Sequence, residues 1–551
     1  MRKGGHRTSA FSYGIFSVRR VQTAFILALA HFFALAQMAS AYDKNFLVKP
    51  YLQLGYEGKH ESSGLDLVWL SESAKHKWQV IYLADKSTAD KSSSGKNTSD
   101  QSSSDKSTSD KSTSDKDGSD KGKAEKGHEA EWITERMISL PGFSAPYYKL
   151  TAHLNKLPAG GTFQYKVLED GKEVFNASAK SRKHSGQSSH VALFGDCGIN
   201  GEGQRKLSKQ VAKADPDLVL ILGDIAYQQG LFSQYLTNFF PVYNLDPAKP
   251  SDDVEEKRAQ TFPVDDGIAS MRSSLWAGVI GNHDISLSGY GGTNINRYPD
   301  CLAYYIFWNE PLNGFKVGDQ KIKKNYSFLD GDLNRQELFK KSAGDAYPLM
   351  NNYSFDYGDA HFVALDGNYY MDWTDAKLRA WLAEDLKAAQ GKAWRILLMH
   401  QPPFLVGAAH WNEQKMRYIC DIAQKYKVNM VIAGHSHCYE RSMPLNFQQS
   451  EAAKPYSANV LETVDGKITL DKNFDGAKNT RPDGIIYIVS GAGGAKLYPI
   501  EPSVTSDPNR FMTHFDHSSH SFSSLDIDDK QLSFKQINED GNVIDQFVVT
   551  K

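Results

Sequence analysis

Apolar residues in this chain gather into short runs, and the rhythm of those runs changes once. Between Phe46 and Ser185 the runs are brief and bounded by turn residues. They predict strands over Leu47–Leu54, Leu65–Leu70, Trp78–Leu83, Trp132–Ile138, Tyr147–Leu154, Phe163–Leu168 and Glu173–Ala177. Asp170-Gly171 is a two-residue hairpin signal between the last two, since such turns need residues that tolerate positive φ. About seven short strands in this length predict an immunoglobulin-like sandwich over residues 42–185. One stretch interrupts it. Residues 87–128 repeat a Ser-Thr-Ser-Asp-Lys theme, carry no Leu, Ile, Val, Phe, Tyr or Trp, and set eight Lys against eight acidic residues. Such a segment has nothing to bury and reads as a disordered insertion in a long hairpin loop.

From Ser189 the pattern becomes strands alternating with helices. Helices are predicted over Gln204–Ala214, Asp375–Gln390 and Asn412–Lys425; in the second, Leu378, Trp381, Leu382 and Leu386 share one face. Tyr353–Tyr357 and His361–Leu365 form a tight pair around Gly358-Asp359. Ile485–Val489, Ser521–Ile527, Leu532–Ile537 and Val543–Val549 supply further strands. The fold class expected for residues 186–551 is therefore α/β, a two-sheet β-sandwich flanked by helices. It is preceded by the all-β sandwich.

Composition narrows the picture only a little. The 551 residues carry a net charge of −2, so no bias toward nucleic acid is visible. Residues 1–41 read as a secretory signal peptide. Arg19 and Arg20 precede an apolar core from Ala24 to Ala36, and Ala39-Ser40-Ala41 follows. The core is shorter than the roughly 20 apolar residues of a membrane span. The expectation is a secreted or periplasmic protein with no stable span after cleavage. Cys197, Cys301, Cys420 and Cys438 contain no Cys-x-x-Cys pair. Buried free thiols are expected for at least two of them.

The chemistry sits in five clusters, each placed where an apolar run stops. They are Gly195-Asp196-Cys197-Gly198, Gly223-Asp224-Ile225-Ala226-Tyr227, Gly281-Asn282-His283-Asp284, Leu397-Leu398-Met399-His400 and Gly434-His435-Ser436-His437. In open α/β sheets the carboxyl ends of strands are where sites are built. One strand–helix–strand crossover separates Asp196 from Asp224, which puts their strands side by side and lets the carboxylates meet. One carboxylate can then bridge two cations. Tyr227 reaches the same point from the Asp224 loop, and its phenolate would favour trivalent iron. Asn282 offers a neutral oxygen suited to a divalent ion. His435 and His437 alternate along one loop, so each can serve a different metal, and His400 completes the set. This mixture of oxygen and imidazole suits a pair of first-row transition metals.

The order of these clusters resembles the purple acid phosphatases, within the calcineurin-like metallophosphoesterases. Gly434-His435-Ser436-His437-Cys438-Tyr439-Glu440-Arg441 and the Tyr353–Phe362 stretch extend the likeness. The absence of a His two residues after Asp196, together with Tyr227, is similar to the purple branch in particular. The sandwich resembles, more weakly, that family's fibronectin-like N-terminal module. The resemblance implies that Asp196, Tyr227 and His437 hold Fe(III), that Asn282, His400 and His435 hold divalent iron, zinc or manganese, and that Asp224 bridges. It implies substrate contacts from Asn282, His283 and His410, with His283 or His410 protonating the leaving group. Where plant members have two adjacent histidines, Ala409-His410 supplies one. The implied activity is hydrolysis of small phosphate monoesters by metal-bound hydroxide, without a phosphoenzyme. Phosphodiester or nucleotide hydrolysis by the same site is the alternative, and a binding protein on a decayed scaffold a third. Loops such as Ser286–Lys324 would set the substrate, while oligomeric state stays open. His361 is expected to be a hydrogen-bonding residue of the core.

Overall fold

The computed structural model describes residues 45–56, 64–73, 76–85, 127–244, 268–286, 292–318, 323–450, 463–501 and 511–551. The proposed signal peptide and all of the 87–128 insertion except Gly127 and His128 lie outside these residues. The N-terminal strands are β1 (Val48–Gln53), β2 (Leu65–Ser71), β3 (Trp78–Ala84), β4 (His128–Glu129), β5 (Trp132–Ile138), β6 (Tyr147–Leu154), β7 (Thr162–Glu169) and β8 (Lys172–Lys180). Asp170 and Gly171 both take positive φ, 51° and 80°, and close the β7–β8 hairpin. Strand β4 was not expected. It pairs His128 with Tyr82 and so closes the far end of the insertion onto β3.

Next come β9 (Ser189–Phe194), β10 (Leu218–Ile221) and β11 (Leu275–Gly278), then a two-stranded ribbon of β12 (Thr293–Asn294) and β13 (Leu329–Asp330). A second series follows: β14 (Tyr353–Tyr357), β15 (Ala360–Leu365), β16 (Trp394–Met399), β17 (Met430–Ala433) and β18 (Tyr439–Ser442). The ribbon β19 (Leu445–Gln449) with β20 (Gly466–Leu470) precedes β21 (Ile486–Ser490), β22 (Met512–Asp516), β23 (Ser521–Ile527), β24 (Gln531–Asn538) and β25 (Val543–Thr550).

Two large sheets result. One runs β25-β24-β23-β9-β10-β11-β1-β2-β6-β5 and the other β14-β15-β16-β17-β21-β18-β22. Strands β9, β10 and β11 are parallel, as are β15, β16, β17 and β21. Crossover helices such as Glu202–Ala214 and Ala376–Ala388 make that possible. Both faces of these strands are buried, which explains why they read as unbroken apolar runs rather than as alternation. This is the metallophosphoesterase fold, with a β-sandwich ahead of it.

Sequence periodicity could not show how the two parts join. Strand β1 pairs in parallel with β11, Gln53 opposite Trp276, so half of the N-terminal sandwich continues the sheet that holds β9, β10 and β11. The other half is the separate sheet β4-β3-β7-β8. Burial follows the same line. Leu52, Trp69 and Tyr165 of the first part belong to one apolar layer with Leu193, Leu220, Leu398 and Ile432. Between Asn412 and Lys425 the expected helix is shorter. Residues 415–419 form a 3₁₀ turn and only Cys420–Lys425 is α-helical. All four cysteines are buried free thiols.

Candidate metal centre

The carboxyl ends of five parallel strands meet at one place. Asp196 follows β9, Asp224 and Tyr227 follow β10, Asn282 and His283 follow β11, His400 follows β16, and His435 and His437 follow β17. The glycines in these clusters are there for space. A Cβ on Gly281 would lie 2.3 Å from the Asp224 amide, and one on Gly434 would lie 2.7 Å from the Asp196 carboxylate. The loops are strained as well as tight. Asp196, Asp224 and His435 all sit at positive φ, 59°, 51° and 73°. Each such residue costs about 1–3 kcal/mol, and strain of this kind gathers at functional sites.

Proton bookkeeping shows what the cluster needs. The His400 Nδ1–H donates to the Leu222 carbonyl at 2.7 Å, so Nε2 carries the lone pair of the neutral ring. That lone pair faces Asn282 Oδ1 at 3.0 Å, Asp224 Oδ2 at 3.2 Å and His435 Nδ1 at 3.2 Å. His435 in turn donates Nε2–H to Glu413 Oε2 at 2.9 Å, which leaves its Nδ1 unprotonated too. Four electron-rich atoms thus converge with no proton among them in the neutral state. A second group forms on the other side of Asp224. Tyr227 Oη lies 3.1 Å from Asp196 Oδ1, 3.2 Å from Asp224 Oδ2 and 3.1 Å from His437 Nε2. His437 donates its Nδ1–H to the Lys496 carbonyl at 2.7 Å, so its Nε2 is also a lone pair. One phenolic proton serves three acceptors. Asp224 Oδ2 belongs to both groups.

The electrostatics say the same. Burial disfavours a charged His400, but Asp224 and Asp196 outweigh it and lift the imidazole to about 10. Positive charge is thus strongly favoured among these acceptors, and a metal ion would compete with a proton for them. Burial and His410 together press His435 down to about 4, so it stays a neutral donor. Burial raises the Tyr227 phenol, and Asp196 and Asp224 raise it further. Only a strongly bound cation would ionise it. For Asp224, burial is the largest influence and opposes the charge, yet His400 and His283 hold the carboxyl well below its usual range. The donor set fits two cations that share Asp224.

Around the ligands lies a supporting ring. Glu413, which falls inside the helix predicted over Asn412–Lys425, holds two histidines. Its Oε1 accepts from His410 Nδ1 at 2.7 Å and its Oε2 from His435. His410 and His435 rings lie 3.7 Å apart. His283 donates Nδ1–H to the Gln228 carbonyl, and its Nε2 lies 3.7 Å from Asp224. Asp284, raised to about 7 by burial and then by Asp224, accepts from the amides of Ile225 and Gly281 and ties two ligand loops together. Tyr498 stacks on His437 at 4.2 Å. It lies far along the chain from every motif, so spacing gave no signal for it. The Glu three residues after His410 was legible in principle as a carboxylate close to a functional imidazole. His361 lies near the start of β15, away from the cluster at the carboxyl ends.

Comparison with known proteins agrees with this geometry. Residues 189–439 match the family described as calcineurin-like phosphoesterase, and residues 484–546 match the family described as iron/zinc purple acid phosphatase-like protein C. The chain is 24% identical over 443 residues to an Arabidopsis thaliana protein named probable inactive purple acid phosphatase 1, covering 74% of this chain and 59% of that one. It is 24% identical to purple acid phosphatase 23 of the same plant, covering 59% and 57% of the two chains. It is 28% identical over 219 residues to a phosphoenolpyruvate phosphatase of Allium cepa, covering 38% and 40%. The chain thus spans less than two thirds of the length of these curated relatives. In structure it resembles the purple acid phosphatase PPD1 of yellow lupin seeds. The TM-score is 0.56 and the identity 18%, with 91% of this chain and 74% of that one covered. In its matched family models and strand-end clusters this chain is similar to the purple acid phosphatases, within the calcineurin-like metallophosphoesterases, and it shares their fold.

Proposed function

We propose that the protein is an exported phosphatase that hydrolyses small phosphate monoesters at a two-metal centre. One observation carries this reading: Asp224 Oδ2 stands between two sets of lone pairs that have too few protons to satisfy them. Asp196, Tyr227 and His437 would hold a ferric ion, and Asn282, His400 and His435 a divalent iron, zinc or manganese. Asp224 would join them. When bound, such a pair supplies Lewis acidity and lowers the pKa of a coordinated water.

The remaining chemistry belongs to the chain. Glu413 fixes the His435 tautomer and orients the His410 ring with the same carboxylate. The Gln228 carbonyl holds the His283 ring over Asp224, and the Tyr227 ring packs 4.4 Å from it. Both His283 and His410 remain partly exposed at the rim, with side-chain exposures of 14% and 23%. From there they can place positive charge on phosphate oxygens, where positioning and electrostatics carry most of phosphoryl transfer. His410 with a proton on Nε2 is the donor to the leaving alkoxide. No side chain serves as nucleophile, so no phosphoenzyme forms. The division at residues 185/186, the signal peptide and the disordered insertion are part of the same proposal. Among the described residues no helix is long and apolar enough to cross a membrane.

A panel of phosphomonoesters, phosphodiesters and nucleotides, assayed across pH with the metal-loaded protein, tests the reading. Monoesters should be the best substrates, at acid pH. Preference for diesters would move the assignment to phosphodiesterase. Inertness toward every ester with both metals bound would overturn it.

A further inference from the structure

One buried carboxylate beside the site binds no ligand and contacts no proposed metal donor. Glu440 is fully buried in β18. Each of its oxygens accepts from one loop, and Oε1 also accepts from Cys438 Sγ at 3.3 Å. Oε2 accepts from the Val406 amide at 2.7 Å and Oε1 from the Gly407 amide at 2.8 Å. That loop leads to His410, whose own amide points at the Gly407 carbonyl, 3.4 Å away.

The same loop is clamped from its other side. Gly407 bridges Ile500, the Ala408 amide donates to the Pro499 carbonyl, and the Glu501 amide donates to the Val406 carbonyl. The 496–501 strap also reaches the metal cluster, since the Tyr498 amide donates to the His437 carbonyl. Space at Gly407 is fully used. A Cβ there would lie 2.0 Å from Ser436 Oγ and 3.1 Å from Glu440 Oε1. The loop therefore cannot sink, and its two amides cannot rise without taking both backbone hydrogen bonds from Glu440 in the interior. Losing a hydrogen bond to a buried polar group is costly.

We infer that Glu440 is a positioning residue for His410: by gripping the Val406 and Gly407 amides it sets the height of the proton-donor loop over the metal centre. The inference rests on the proposed role of His410. Glu440→Gln keeps the size but turns an NH₂ group against one of the two amides, so the loop loses one anchor. Gly407→Ala pushes the same loop from a different residue.

The test is a double-mutant cycle of Glu440→Gln with His410→Ala, read as kcat on 4-nitrophenyl phosphate and on a simple alkyl phosphate. Metal content and melting are measured for every variant. General acid catalysis is worth about 10²–10⁴-fold, so a misplaced donor should cost the alkyl ester at least about tenfold more than the nitrophenyl ester. Glu440→Gln should show that split with two metals still bound. It should add almost nothing in the His410→Ala background, because it acts through that ring. Gly407→Ala should reproduce the split. Additive losses in the cycle, or loss of metal in Glu440→Gln, would overturn the inference. If His410→Ala costs both esters alike, the donor role of His410 falls instead, while the cycle still decides whether Glu440 acts through it.

Discussion

His361 and His400 are two buried histidines of the same sheet, each beside aspartates, and they solve opposite problems. His361, near the start of β15, has a carboxylate for each nitrogen. Asp356 lies 2.7 Å from Nδ1 and Asp385 2.9 Å from Nε2. Lys392 and Ser354 complete the pairing of those acids, and Arg182 reaches the Asp356 carbonyl. Every proton has an acceptor, and the group is closed. His400, at the end of β16, has in its neutral form, the form that can bind a metal, one N–H placed and a lone pair facing three others. Both sites are acidic and buried, so composition and burial do not separate them. The count of protons against lone pairs does: a surplus of lone pairs calls for a cation, and a balanced set is structural.

The largest consequence falls on the unbalanced side. Replacing His435 with Ala removes a ligand of one group, and kcat/KM should fall on the order of 10³-fold in steady-state assays while the fold persists. Next comes the carboxylate behind it. Glu413→Gln leaves one of two imidazoles without its acceptor, and affinity for the divalent ion should weaken about 10–100-fold, measured by competition with a chelator. Tyr227→Phe then tests which ion sits in the other group. A visible charge-transfer band should vanish with packing intact, and activity should drop without disappearing. A colourless wild type holding two divalent ions would contradict the ferric assignment.

On the balanced side, the expected effect is on stability and not on chemistry. Burial opposes the charge on His361, but Asp356 and Asp385 outweigh it and lift the ring to about 9. An ordinary histidine titrates near 6.5. The ion cluster's contribution is therefore fully present below about pH 6.5 and is lost as pH rises through about 9. The melting temperature should fall over that window by several degrees more than in His361→Gln, with metal content unchanged at neutral pH. A melting curve as steady in alkali as in the variant would remove His361 from the account. The smallest effect is expected from excising residues 87–126. That cut spares His128, which pairs with β3, and kcat should stay within about twofold, since the segment has nothing to pack.

The parts visible in the sequence were those that depend on short spans of chain. The β5, β6 and β23 bounds emerge from apolar runs ended by turn residues, and the candidate donor clusters from the rule that strand ends carry function. What spacing hid was what tertiary contact alone decides. Nothing in Val48–Gln53 says that it will lie beside β11 and fuse the sandwich to the sheet that holds β9, β10 and β11. Glu413 looked like one more polar residue of a helix because the turn at 410–414 has no breaker residue to mark it. Tyr498 and Glu440 act through loops brought in from distant strands.

On the proposed function, two cations hold together the lone pairs on either side of Asp224. Metal analysis of the purified full chain beside Asp224→Asn decides this. Two ions per chain are expected in the wild type and loss of most of both in the variant, with folding retained. One ion or none in active wild-type protein, or two ions undisturbed in Asp224→Asn, would contradict it.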